Sequence, residues 1–161
     1  MRRALAAAAM TLVATAASMS TATAQGEHFI GAITCTTSIT AGLQCSGKAA
    51  GLGNDPTAAF LTADSVTAEY VCSNRGGNIA PGQGTFTPNP VGDQTNFTPR
   101  NGQITFRNVT LAAPPTPSAD DICPNGNWRV NLLHLSWNNV VLHIQQDGTD
   151  ILSRELGDFS V

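Results

Sequence analysis

The sequence predicts an all-β fold, an antiparallel Ig-like β-sandwich of seven or eight short strands stapled by two disulfides, and three observations carry that prediction. Apolar and polar residues alternate in short runs, as where Val66, Ala68, Tyr70 and Cys72 interleave with Thr67, Glu69 and Val71, the period-2 pattern of a half-buried strand. The runs are separated by turns dense in Gly, Pro and Asn, with no stretch of helical periodicity between them. Four cysteines, Cys35, Cys45, Cys72 and Cys123, follow a segment with the features of an export leader, where thiols oxidise. The alternative is a small β-barrel built from the same strands.

Residues 1–24 carry Arg2 and Arg3, then an Ala/Leu/Val/Met run, then Ala22-Thr23-Ala24 before Gln25. These are the charged start, apolar middle and small-residue cleavage site of a secretory signal peptide. The apolar run is interrupted by Thr11, Thr15, Ser18 and Ser20, so removal is expected rather than anchoring, with no membrane span left after cleavage. Residues 25–161 then form a single secreted, extracellular domain, long enough to bury a core. Without Arg2 and Arg3, 6 basic residues face 11 acidic ones, a charge of −5. That balance argues against a nucleic-acid or anionic-membrane partner, and no basic stripe overturns it. Only 12% of residues are charged while 42% are hydrophobic, which fits an extracellular β-protein and opposes disorder.

The first strand is read at Phe29 to Ile39 and the second at Leu43 to Leu52, a hairpin whose bend centres on Thr40. That bend sets Cys35 opposite Cys45 and Thr37 opposite Leu43, close enough for a disulfide. Of three possible connectivities this geometry favours Cys35–Cys45, which leaves Cys72 with Cys123. In the loop-entropy picture the shorter bridge is worth roughly 3 kcal/mol and the longer roughly 4 kcal/mol. Gly47, Ala49, Ala50 and Gly51 mark a place where a large side chain or another backbone comes close. Gly53-Asn54-Asp55-Pro56 turns the chain, and Thr57 to Ala63 reads as a short strand leading into Val66 to Cys72.

Thr85 to Val91 contains Pro88 and Pro90, so any strand there lies at an edge or is broken. In Gln103 to Leu111 the apolar face switches from Ile104 and Phe106 to Val109 and Leu111, which a β-bulge near Arg107 or Asn108 explains. Pro114, Pro115 and Pro117 lie in a solvated connector that ends in Asp120 and Asp121. Asn127 to Trp137 and Val140 to Gln146 read as a hairpin turning at Asn138-Asn139, because Asn tolerates a positive φ. That register puts Leu133, Leu135 and Trp137 on one face, with Trp137 near an exposed tip. Asp147-Gly148-Thr149-Asp150 then turns into a last strand near Ile151 and Leu152.

No nucleophile elbow, H-E-x-x-H, Walker loop or dinucleotide fingerprint is present, so no catalytic residue is assigned and no cofactor is expected. The hairpin register sets His134 opposite His143, a spacing at which two imidazoles could share a zinc or copper ion; the plainer reading is a surface cross-strand pair. Ser73 to Asn78 forms a candidate recognition loop presenting Asn74, Arg75 and Asn78, or else a turn shaped by glycine beside a disulfide. Trp128 and Trp137 are candidate sugar platforms or core residues.

Cys72-Ser-Asn-Arg-Gly-Gly-Asn-Ile-Ala-Pro-Gly-Gln, with Asn101-Gly102 and Cys123-Pro-Asn-Gly-Asn-Trp128, resembles a group of small secreted β-proteins frequent in actinobacteria. They share C-x-N-x-G-G-N-x-x-P-G-Q and C-P-N-x-N-W, preceded by a stretch like Ala49 to Asn54. The resemblance spans most of residues 25–161 and implies a Cys72–Cys123 bridge and a sandwich-like fold, but no activity. Cys35 and Cys45 depart from the commoner two-cysteine form. The functional expectation is a non-catalytic extracellular domain that binds a protein or glycan ligand, or has a structural role at the envelope or in the medium. The alternatives are a carbohydrate-binding module, a hydrolase and a protease inhibitor.

Overall fold

A computed structural model describes residues 26–161; the expected leader, residues 1–24, lies outside them. Ten strands and one helical turn follow in order: β1 (His28–Ser38), β2 (Gly42–Ala50), β3 (Thr57–Thr62), β4 (Ser65–Ser73), β5 (Ile79–Pro81), β6 (Thr85–Pro88), β7 (Thr95–Phe97), β8 (Gln103–Leu111), α1 (Ala119–Ile122), β9 (Arg129–Gln146) and β10 (Thr149–Ser160). They form two antiparallel sheets facing each other as a sandwich, with no closed barrel among the described residues. The smaller sheet has the order β1-β2-β8.

The larger sheet is built on β9. β3 and β4 lie end to end along one edge of it, in a register that runs unshifted from Thr57↔Gln146 to Glu69↔His134. They are one long strand interrupted at Ala63 and Asp64, where Ala63 N donates to Pro90 O and Asp64 N to Asn138 O. β5, β6 and β7 lie in tandem on the far edge, broken where Pro81, Pro88 and Pro90 deny the ladder its donors. β10 takes the other edge of β9, from Ser136 to Gln146. The expected seven or eight strands become ten because these breaks divide long strands into short ones.

Between the sheets, Leu43, Phe106, Val109 and Leu111 meet Leu61, Val66, Leu135, Trp137, Leu142 and Ile144, all essentially without exposure. A Cβ on Gly47 would sit 2.7 Å from the ring of Phe106, so the glycine makes room for that ring, as the run of small residues suggests. The bulge read at Arg107 and Asn108 is present: Cys45 pairs with Val109 and Gly47 with Phe106, and Asn108 takes φ 53°. Cys35 stands opposite Cys45 and Thr37 opposite Leu43. Both expected disulfides form, Cys35–Cys45 with Cα atoms 4.1 Å apart and Cys72–Cys123 with 5.8 Å.

The Asn138-Asn139 hairpin does not form; β9 passes straight through it. Asn139 alone of the two takes a positive φ, 49°, whereas a two-residue hairpin turn of the I′ type needs it at both positions. The left-handed residue instead makes a bulge, with Asn138 and Asn139 opposite the single Asp158. Asn138 Nδ2 donates to Ser65 Oγ at 2.9 Å, and Asn139 N donates to Asp158 Oδ1 at 2.7 Å. The hairpin turn falls at Asp147-Gly148, with φ 49° and 76°, joining Gln146 to Thr149. Trp137 is consequently no exposed tip but the largest fully buried side chain. The last strand is also longer than read, and the proline connector holds the one-turn α1.

Two outcomes follow from this architecture. Asn139→Val should lower stability in urea by about 1–2 kcal/mol through its left-handed backbone, while Asn139→Gly should lose less. An equal loss for both would place the cost in the side-chain bonds instead. Replacing Cys72 and Cys123 by Ala should lower the thermal midpoint more than replacing Cys35 and Cys45, because the released loop is longer; calorimetry on both double variants decides it.

Candidate functional site: two surface clefts and a relay on the larger sheet

The loop from Asn74 to Asn78 links β4 to β5, with Ser73 and Ile79 paired at its base. Asn74 Oδ1 accepts from the backbone N–H of Gly76 and of Asn78, both at 3.0 Å, and Asn74 N donates to Asn78 O. The Asn74 amide oxygen is thus spent on shaping the turn, as in an Asx turn. Arg75 is exposed and makes no ion pair among the described residues. Arg75 and Asn74 line a polar cleft of about 570 Å³ with Gly126 and Asn127, from the turn beyond Cys123. The Cys72–Cys123 bridge holds these two turns together, and Asn78 stands exposed beside Asn74. Of the three residues read as a recognition set, the Asn74 side chain and the Asn78 backbone serve the turn, while the exposed side chains of Arg75 and Asn78 make no hydrogen bond or ion pair among the described residues.

His134 and His143 do not face each other. Both lie on β9, so nine residues of extended chain, roughly 30 Å, separate them. The expected opposition rested on the hairpin that does not form. His134 stands opposite Glu69 on the outward face of the larger sheet. Among the described residues no cluster of three or more His, Cys, Asp or Glu side chains is placed to hold a metal ion.

His143 has a different set of partners. Its Nδ1 lies 2.7 Å from Asp150 Oδ2, and its Nε2 lies 2.9 Å from Thr62 Oγ1. With Asp150 accepting from Nδ1–H, Nε2 is left to accept from the threonine hydroxyl. The Phe60 ring stacks on the imidazole with centroids 4.8 Å apart and planes 9° apart. The relay crosses β10, β9 and β3 on one face of one sheet. Sequence reading missed it because the three residues belong to distant segments, and only the β9 register brings them together.

A second cleft opens on the same outward face, beside β4. There the pairing shifts between Glu69↔His134 and Tyr70↔Leu132, a bulge that turns Leu133 out to 61% exposure while Leu135 and Trp137 stay buried. Leu133 was expected to share their face; the doublet Leu132-Leu133 breaking the alternation was the signal. Ile79 and Phe86 are exposed beside it at 74% and 66%. Leu133, Ile79, Val71, Pro81, Thr67 and Glu69 line a groove of about 590 Å³. Gly82 N donates to Tyr70 O at 3.0 Å, holding the edge close to β4. Phe86 is the one aromatic among the largely exposed apolar side chains of the described residues; Trp128 is half-buried and Trp137 buried. Comparison with known proteins finds no family model, no curated protein and no solved structure that matches the chain.

Proposed function

We propose that the protein is an exported binding domain, and that the groove beside β4 docks an extended protein segment bearing apolar side chains and a basic one. The observation that carries this reading is that Leu133 and Ile79, each more than 60% exposed, line one groove on a sheet face whose reverse side is core, with Phe86 exposed farther along the same face. Contiguous exposed apolar surface rimmed by polar groups marks interaction sites. Glu69 is exposed within the groove and without an ion pair among the described residues, which gives the partner its charge. A protein segment fits better than a glycan, because sugar recognition needs several exposed aromatic platforms and this face offers Phe86 alone. Export is supported by the pairing of all four cysteines, since such bridges persist in oxidising compartments, and by the resemblance to small secreted actinobacterial β-proteins. No helix among the described residues is long and apolar enough to cross a membrane.

The test is selection of displayed random peptides on residues 25–161, with counter-selection on a Leu133→Ser variant. The expected winners combine large apolar residues with Lys or Arg. Each apolar anchor is worth about 1.5–3 kcal/mol when fully buried, so Leu133→Ser should weaken binding by about ten- to a hundredfold. Glu69→Gln should weaken it less and remove most of its salt dependence. Winners without basic residues, or equal binding to the Leu133→Ser variant, would overturn the reading; a glycan array showing binding lost in Phe86→Ser would replace it with sugar recognition.

A further inference from the structure

Thr62, His143 and Asp150 have the connectivity of a nucleophile, its base and the base's orienting carboxylate. Such a constellation is recognised by geometry and role, not by order in the chain. Asp150 fixes the Nδ1–H tautomer and the ring orientation, and Phe60 stacked on the ring limits its rotation. The imidazole is only 18% exposed, so water competes little for Nε2, whereas the Asp150 side chain is 43% exposed and keeps its hydration. Thr62 is β-branched, which restricts χ1 and holds Oγ1 in place. On the outward face Thr62 pairs with Val141 on one side and Val91 on the other, and Val91 is 66% exposed. A small apolar group could rest between these valines beside Oγ1. Glu155, opposite Val141, disfavours an anionic group there.

We propose that Thr62 Oγ1 is a nucleophile for acyl transfer, with His143 as general base, Asp150 as a positioning residue, and esters of small uncharged acyl groups as the substrate class. Oγ1 forms a bond to the ester carbonyl carbon as its proton passes to His143 Nε2. The tetrahedral adduct collapses, the ester C–O bond breaks, and the alcohol leaves with the proton from Nε2. Water then attacks the acyl-threonine, giving a proton to Nε2; the acid is released and the hydroxyl is restored. No oxidant, metal or further reactant enters the balance. This chemistry is independent of the groove beside β4, since the two lie at opposite ends of β9.

The experiment is incubation of the protein with p-nitrophenyl acetate, following p-nitrophenolate release and mapping the acetylated peptide by mass spectrometry. Acetyl is expected on Thr62, and Thr62→Ser is expected to keep the reaction. Thr62→Val, of matching shape, should abolish the label, and His143→Gln should slow acylation by about a hundredfold or more. Asp150→Asn should slow it as well, with Asp150→Glu restoring part of the rate, a rescue that a merely structural role would not give. Melting temperatures check that each variant is folded; should Thr62→Val fail to fold, the wild-type peptide map and the His143→Gln rate decide. Acetyl on Lys48 or other amines alone, or a rate unchanged in His143→Gln, overturns the proposal and leaves the three residues as a cross-strand clamp.

Discussion

β9 can serve as the axis of the larger sheet only because a residue in left-handed conformation is absorbed within it. At Asn139 the positive φ forces an extra residue into the ladder, and the fold accommodates it by spending neighbouring polar groups. Asp158 takes the Asn139 N–H, Asp64 takes its side-chain amide, and Ser65 accepts from Asn138. Had the chain reversed there, β3 and β4 would have lost the common partner that makes them one strand in register. The central position of Trp137, the alignment of the interrupted outer strands, and the meeting of Thr62 with His143 all depend on that straight passage.

The two disulfides act at different levels of the structure. Cys35–Cys45 joins residues that β1 and β2 already hold opposite each other, so it secures a local register within the smaller sheet. Cys72–Cys123 joins the end of β4 to the segment after α1, which no ladder otherwise connects, and thereby sets the walls of the polar cleft around Arg75. The shape of that cleft therefore depends on the second bridge and not on the first.

Much of the fold was legible where the chemistry is local. The cross-strand cysteines, the bulge at Arg107-Asn108 and the close approach at Gly47 each follow from neighbouring residues and period-2 arithmetic. The Asn138-Asn139 turn was misread because an Asn with positive φ serves a bulge as well as a hairpin, and only strands distant in sequence choose between them. Asp147-Gly148 lay eight residues on, with Gly at the second position, and was the stronger turn chemistry. That one misassignment propagated: it moved Trp137 to the surface and His143 to the wrong partner, whereas Leu133 was misplaced by a separate bulge opposite Glu69 and Tyr70. The candidate surfaces were less legible still, since Leu133, Ile79 and Phe86 are ordinary strand residues until topology gathers them on one face.

The Asp147-Gly148 hairpin also bears on how the chain reaches this state. β9 and β10 can pair as soon as both exist, as can β1 and β2, because short loops close on a sub-microsecond scale. Val66 and Trp137, by contrast, meet across roughly 70 residues of intervening chain, and that long closure must be met before burial compensates for it. β4 and β5 are likewise joined by the short Asn74–Asn78 loop, so by loop length the local hairpins close first and the docking of β3 and β4 on β9 comes last. Until that docking the β3–β4 flank of β9 stands open. A partner strand, a chaperone or another nascent copy would meet the molecule in that interval through the hydrogen-bonding edge that the mature fold conceals.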